Sequence, residues 1–258
     1  MRKHDLQAFP PGENMSQAQV IDVLNRTATN QDALILAPVV WLRASTRPGI
    51  RPTALKSTSS TPTRAWAMRF RPASATGSHV GDAPGEVYVL IGDGTYFMQP
   101  TELVTAVQER KKIITIVIDN RGHQCIWPLQ VSKGGPPGAS SGHSIGNAAL
   151  SPVALTGAVL DFDIAANAAS MGCAAWSTST VEEFQNALKE AKEGGDGPPA
   201  VIVARVEPWR YLSGSGAFWD VGVPMTSQRP GSQEGTAKHL EGRARQRFYA
   251  ATTAPDQR

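Results

Sequence analysis

The chain has 258 residues, 41% of them hydrophobic, with 25 basic against 22 acidic side chains. This apolar content is enough for one sizeable core, which excludes disorder along the whole length. No apolar run approaches the roughly 20 residues of a membrane helix, and the N-terminus lacks a secretory signal. We therefore expect a cytoplasmic protein without a membrane partner, in which Cys125 and Cys173 are reduced.

The basic side chains are concentrated in one segment. No acidic residue lies between Asp32 and Asp82, whereas seven basic residues do. Without these seven, 18 basic residues face 22 acidic ones, so the rest of the chain is mildly acidic. A nucleic-acid binder would need basic residues on a folded surface together with stacking aromatics, and we expect no nucleic-acid partner.

The first predicted elements are a helix and a strand. Ser16–Gln19 fits a capping box and predicts a helix over about 17–28. Residues 32–37 form a short apolar run bounded by turn residues, which is typical of a buried parallel strand. The periodicity is then lost from about 38 to 84, and the abundance of Ser, Thr, Pro and Arg predicts an irregular or disordered segment.

Strands and helices alternate after this segment. We predict strands over 86–91, 113–118, 172–176 and 200–206, helices over about 100–110, from Asp161 and from the capping box at Thr180, and a long loop over 133–150. Such alternation requires crossover connections, so we predict a doubly wound α/β fold with a mostly parallel sheet flanked by helices.

Three regions divide the chain. Residues 1–15 are predicted to be a linker, residues 16–225 the α/β domain interrupted by the irregular segment 38–84, and residues 226–258 a polar tail. A helix is predicted over about 234–250 within that tail.

Two polar loops follow neighbouring predicted strands. Gly92-Asp93-Gly94 comes directly after one strand and Asp119-Asn120-Arg121-Gly122 after the next. Ligands in such sheets bind beyond the carboxyl ends of the strands, so we expect the two loops to be neighbours in space. Glycines permit close backbone approach to a phosphate. The Asp93 carboxylate, the Asn120 amide and a carbonyl near Gly122 are hard oxygen ligands suited to Mg2+, which makes a metal-bridged diphosphate the natural occupant.

A plain turn is the alternative for the Gly-Asp-Gly tripeptide, since a chain of this length contains one by chance in roughly one case of fifteen. The strand, helix, strand and asparagine at this spacing favour the functional interpretation. For His123, just past the second loop, a solvated loop histidine is the more ordinary interpretation, and contact with substrate the alternative.

The run from Gly92 through Glu102 to Asn120 resembles the thiamine-diphosphate motif of the acetohydroxyacid-synthase-like superfamily. Within it, the motif stretch 86–130 and the ending 218–224 are most similar to the ring-opening hydrolases of myo-inositol catabolism, which act on a cyclic 1,2-dione. This resemblance implies thiamine diphosphate and Mg2+ as cofactors. It assigns Mg2+ to Asp93, Asn120 and the Gly122 carbonyl, and the diphosphate to Gly92, Gly94 and Thr95.

The resemblance also implies missing parts. The family's polypeptide is more than twice as long, it assembles with the cofactor between subunits, and its activating glutamate lies in an N-terminal domain. No residue here takes that role, so no catalytic residue is assigned. We expect a fragment that self-associates. Another superfamily member, such as an acetohydroxyacid synthase or a decarboxylase, and a non-catalytic remnant remain alternatives.

Residues 39–79 lack the family's cofactor-supporting loop. A permissible coding sequence for residues 56–75, read after omitting two nucleotides, gives VHLEYSYSCMGYEIPASLG, which resembles that loop. We therefore hypothesise a shifted reading frame over about 39–79. The bulky residue that wedges between the cofactor rings would then be absent, and the expectation is weak or no activity from this polypeptide alone.

Overall fold

The computed structural model describes residues 14–36, 56–58, 85–123, 133–134, 160–207, 222–223 and 226–246, and for Leu36 and residues 56–58 the backbone only. Its strands are β1 (Ala33–Leu36), β2 (Lys56–Thr58), β3 (Val87–Gly92), β4 (Ile114–Asp119), β5 (Ala174–Thr178) and β6 (Ala200–Arg205). Its helices are α1 (Gln17–Thr27), α2 (Asp93–Tyr96), α3 (Glu102–Gln108), α4 (Ile164–Ser170), α5 (Val181–Glu193) and α6 (Pro230–Ala244).

The six strands form one parallel sheet in the order β2-β1-β3-β4-β6-β5. Strand side chains alternate between two apolar layers, so that in β3 Leu90 faces the layer shared with α1 and α5, while Ile91 faces the layer shared with α3 and α4. Both layers are apolar because a parallel sheet carries helices on both faces. The predicted doubly wound α/β fold is confirmed.

Local capping signals place two of the helices. In α1 and α5 the Ser16 and Thr180 hydroxyls accept from the N3 backbone N–H, and the Gln19 and Glu183 side chains accept from the N-cap backbone N–H. Both predicted capping boxes are therefore confirmed. No helix in the described ranges is both long and apolar enough to cross a bilayer.

The structure corrects several boundaries. Residues 56–58, inside the segment 38–84 predicted to be irregular, form the edge strand β2, and the rest of that segment lies outside the described residues. Met15, assigned to the linker 1–15, is buried and forms a parallel bridge with Val206. The tail helix starts at Pro230 rather than 234, because proline is well suited to the first helical position.

The helix predicted to be capped by Asp161 has its cap two residues later, at Asp163. The Asp163 side chain accepts the Ala166 N–H at 2.8 Å and caps α4. Asp161 is instead exposed, and its Oδ1 lies 3.9 Å from the Arg205 guanidinium. Most of the predicted loop 133–150 lies outside the described residues, except Lys133 and Gly134, which contact α6.

Candidate functional site

The two polar loops lie side by side at the carboxyl edge of the sheet. Gly92 ends β3 and is in register with Ile118 of β4, so the residues that follow each strand leave the sheet as neighbours. Asp93 is the first residue of the short helix α2, where a plain turn had been the alternative. The expected proximity of the two loops is therefore confirmed.

The Asp93 carboxylate joins the two loops. The side chain is 1% exposed. Its Oδ1 accepts the N–H of Gly94 at 2.8 Å, and its Oδ2 accepts the N–H of Gly122 at 2.7 Å. Hydrogen bonds to a carboxylate are among the stronger ones in proteins, so the second contact holds the loop after β4 in place.

The Asn120 amide completes a cluster of polar atoms. One of its terminal atoms lies 3.2 Å from Asp93 Oδ1 and 2.7 Å from the Gly122 carbonyl oxygen. With the amide nitrogen in that position, both oxygens receive hydrogen bonds. With the amide oxygen there, three oxygens face one another, an arrangement that only a cation makes favourable. A half-turn of the amide interconverts the two arrangements.

These oxygens fit Mg2+. Adjacent ligands of an octahedral Mg2+, each about 2.1 Å from the ion, are about 3.0 Å apart, and the separations of 3.2 and 2.7 Å fall on either side of that value. The described part of the chain contains no group of three His, Cys, Asp or Glu side chains placed to hold a metal ion together. The candidate donor set consists instead of a carboxylate, an amide and a main-chain carbonyl.

An uncommon backbone turn presents the Gly122 carbonyl. Arg121 has φ 61°, which a non-glycine residue rarely adopts, and its N–H donates to Asp119 Oδ1 at 3.2 Å. Gly122 follows with φ 151°, a conformation available mainly to glycine. The turn places the Gly122 N–H against Asp93 and its carbonyl beside Asn120.

Asp119 is under opposing electrostatic influences. Burial and the nearby charge of Asp93 raise its pKa, while the Arg121 N–H and the guanidinium groups of Arg205 and Arg121 partly offset that rise. Arg205 ends β6 in register with Asp119 of β4, so the last residues of two paired strands bring a base beside an acid.

A cavity of about 260 Å³ opens beside Asp93 and Asp119. The residues that line it include Arg121 and Arg205. They also include two aromatic residues, Phe97 and Phe162, whose ring centroids lie 4.7 Å apart. With Mg2+ at Asp93, the positive charges of the ion and the two guanidinium groups would exceed the negative charges of the three lining carboxylates, Asp93, Asp119 and Asp161, a balance that favours an anion.

The structure brings the predicted cofactor residues to one place. Gly92, Gly94 and Thr95 are buried around Asp93, and Asn120 and Gly122 face it. Sequence reasoning did not identify Arg205 as a residue that lines the cavity. Its signal was available, because the last residue of a third parallel strand must reach the same edge of the sheet.

Residues 53–204 match the family model described as "Thiamine pyrophosphate enzyme, C-terminal TPP binding domain". The chain belongs to this family. The match includes both loops and part of the segment 39–79 for which the family loop was not recognised. The polar cluster at Asp93 and Asn120 therefore lies within the part of the chain that matches this family.

Two curated relatives are named for the same hydrolase activity. The chain is 33% identical over 182 residues to "3D-(3,5/4)-trihydroxycyclohexane-1,2-dione hydrolase 2" of Bacillus cereus, an alignment covering 70% of this chain and 28% of that protein. It is 32% identical over 182 residues to a like-named hydrolase of Bacillus anthracis, with the same coverage. The chain thus spans less than a third of the length of these relatives.

Solved structures share the fold. Benzoylformate decarboxylase from Polynucleobacter necessarius superposes with a TM-score of 0.60 at 19% identity, over 81% of this chain and 35% of that one. The thiamine diphosphate-dependent 4-hydroxybenzoylformate decarboxylase of Rhodococcus jostii has a TM-score of 0.55 at 17% identity, over 78% and 34%. These likenesses place the sheet and helices of this chain in the fold of thiamine diphosphate enzymes.

Proposed function

We propose that the chain is the cofactor-binding domain of a thiamine-diphosphate-dependent hydrolase that cleaves a C–C bond in a cyclic 1,2-dione. The substrate would be 3D-(3,5/4)-trihydroxycyclohexane-1,2-dione and the product 5-deoxyglucuronate, a step of myo-inositol catabolism. The convergence of Asp93, Asn120 and Gly122 oxygens at the carboxyl edge of the sheet carries the cofactor part of this proposal. The 33% identity to the Bacillus cereus hydrolase supports the substrate part.

In this proposal Asp93, Asn120 and the Gly122 carbonyl hold Mg2+, which in turn holds the diphosphate. Gly92 and Gly94 let the main chain approach the phosphates, and Thr95 lines them. Asp93 also accepts the Gly122 N–H at 2.7 Å, so the carboxylate that binds the ion positions a second ligand of the same ion. Mg2+ commonly combines a few protein oxygens with phosphate oxygens.

When bound, thiamine diphosphate supplies a carbon nucleophile for the ketone and then an electron sink for C–C cleavage. The overall reaction adds one water to the ring, with the hydroxyl ending on the acyl carbon and a proton on the carbon released from it. The residues of this domain contribute by fixing the cofactor through its diphosphate. No residue of the chain is assigned to proton transfer.

The decisive experiment supplies the N-terminal domains of a relative in trans. The N-terminal domains of the Bacillus cereus hydrolase are mixed with this chain, thiamine diphosphate and Mg2+, and formation of 5-deoxyglucuronate from the dione is followed. Turnover that needs this chain and is lost with Asp93→Asn supports the proposal. The chain alone is expected to be weak or inactive, and robust turnover by it would refute that expectation.

The same assay separates the alternatives. Consumption of pyruvate rather than the dione would favour an acetohydroxyacid synthase or a decarboxylase. Cofactor binding without turnover of either substrate would favour a non-catalytic remnant. We also propose that the assembled enzyme is a homo-oligomer, which sedimentation of the reconstituted mixture would test, and that it is cytoplasmic, which fractionation of the producing cells would test.

The reading-frame hypothesis has a test of its own. Resequencing the genomic locus would show whether a single-base change restores the family loop over residues 39–79. An intact frame, in which no such change restores the loop, would contradict it.

A further inference from the structure

Two carboxylates hold the peptide groups on either side of Arg121. Asp119 Oδ1 accepts the Arg121 N–H at 3.2 Å, and Asp93 Oδ2 accepts the Gly122 N–H at 2.7 Å. A residue has only two soft dihedral angles, which relate the peptide group before it to the one after it. Holding both groups therefore limits Arg121 to a narrow range of conformations.

Arg121 adopts a conformation that its Cβ atom disfavours. Its φ of 61° lies in the left-handed region, where the Cβ atom of an L-residue crowds the following carbonyl oxygen. Glycine avoids this cost because it has no Cβ atom. A residue other than glycine keeps such a conformation only where its surroundings enforce it, and the two carboxylate contacts do so here.

The acceptor on Asp119 has a fixed origin. Asp119 is the last residue of β4, and its carbonyl oxygen accepts the Val206 N–H at 2.9 Å. Aspartate readily accepts the N–H of the residue two positions further on, which favours a turn directly after it. The sheet thus sets the position from which this side chain directs the loop.

The Gly122 carbonyl depends on this arrangement. Its oxygen lies 2.7 Å from a terminal atom of the Asn120 amide, and Gly122 directly follows Arg121. If Arg121 relaxed to a negative φ, the peptide groups on either side of it could not both keep their carboxylate partners. The carbonyl would then move away from the Asp93 and Asn120 oxygens.

We propose that Asp119 is a positioning residue of the metal site. By accepting the Arg121 N–H, it holds the left-handed turn that aims the Gly122 carbonyl at the ion, and its charge is not required for this role. The inference rests on the proposed function, because it takes Asp93, Asn120 and the Gly122 carbonyl to be the metal ligands.

An electrostatic role is the competing account, since a carboxylate at this edge of the sheet would also attract a cation. Asp119→Asn separates the two accounts, because the amide oxygen can accept the same N–H without a charge. Asp119→Ala removes both the acceptor and the charge. The matched control is Asp163→Ala, which removes a carboxylate that accepts a backbone N–H at the start of α4.

The probe is Mn2+, which shares the oxygen preference of Mg2+ and whose free ion is counted by electron paramagnetic resonance. It is titrated into the full chain, alone and with thiamine diphosphate. We expect Asp119→Ala to weaken Mn2+ binding about tenfold, in line with the cost of a left-handed residue that carries a Cβ atom. Asp119→Asn should recover most of this loss, and Asp163→Ala should match the wild type. Equal losses in Asp119→Asn and Asp119→Ala, or no loss in Asp119→Ala, would overturn the inference and leave the proposed function standing.

Changes at Arg121 test the backbone argument directly. Glycine adopts a positive φ without help, so Asp119→Ala should have little effect in an Arg121→Gly background. In an Arg121→Ala background, which keeps a Cβ atom, the loss should persist. Equal losses in the two backgrounds would overturn the inference.

A measurement on the wild type covers the case in which Asp119→Ala folds poorly. The Arg121 amide should be protected from hydrogen exchange, because its N–H is bound to Asp119. Exchange at the rate of a free peptide would overturn the inference. No Mn2+ binding by the wild type, with or without thiamine diphosphate, would overturn both proposals.

Discussion

The Asp93 carboxylate accepts the Gly122 N–H at 2.7 Å across 29 residues of sequence. Through this one contact, the loop after β3 positions the loop after β4. The residue that would carry the charge for a metal ion also fixes the carbonyl that would bind it. The proposed metal binding and the loop geometry would therefore depend on the same side chain.

We predict that Gly85→Ala destabilises the domain by about 2 kcal/mol, the range of a strained backbone position. Gly85 has φ 144°, and an added Cβ would lie 2.2 Å from the Gln31 carbonyl oxygen. Urea unfolding measures the loss. The control is Gly194→Ala at the end of α5, where a Cβ would approach nothing closer than 3.6 Å. Equal stabilities of the two variants would contradict the prediction.

The capping box of α5 should make stability depend on pH. Hydrogen bonds from the Ser179 and Thr180 N–H groups lower the pKa of Glu183. Because the folded-state pKa is the lower one, this stabilisation is present above the ordinary glutamate pKa of about 4.3 and is lost as pH falls through the folded-state value. Urea unfolding from pH 6 downward measures it.

Glu183→Gln is the matched control for that pH dependence, since Gln19 fills the same position in the capping box of α1. It should keep the hydrogen bonds and flatten the acid dependence. Thr180→Ala should cost about 1 kcal/mol at neutral pH. An acid dependence that survives in Glu183→Gln would assign the effect to another group.

Cys173 should be unreactive in the folded domain. Its side chain is buried, and burial raises the pKa of its thiol to about 11, so at pH 8 only about one thiol in a thousand is the reactive thiolate. In a Cys125→Ser background, a disulfide exchange reagent should modify it far more slowly in buffer than in 8 M urea. Equal rates would show that the site opens in the native state.

Local signals made much of this fold predictable. Each capping box, at Ser16 and at Thr180, spans only four consecutive residues. The central strands are recognisable from their apolar runs alone, without tertiary information. The two site loops were predictable as a pair because every parallel strand ends at the same edge. The edge of the sheet that Arg205 reaches was predictable in the same way, whereas its position next to Asp119 depends on the lateral order of β4 and β6, which no local pattern encodes.

Other features were missed for identifiable reasons. Gly92-Asp93-Gly94 has the composition of a turn, yet Asp93 begins α2. Val104 belongs to the same apolar run as the buried Leu103 but is 37% exposed. Adjacent residues on a helix point about 100° apart, so a run of apolar residues does not by itself identify the buried ones.

The most direct test of the central claim is the Mg2+ dependence of thiamine diphosphate binding. The cofactor is titrated calorimetrically into the full chain with Mg2+, with a metal chelator, and into Asp93→Asn with Mg2+. We predict binding, weaker than in an intact enzyme, only for the wild type with Mg2+. The asparagine can still accept the Gly122 N–H but lacks the charge for the ion. Equal binding in all three titrations, or none in any, would contradict the account.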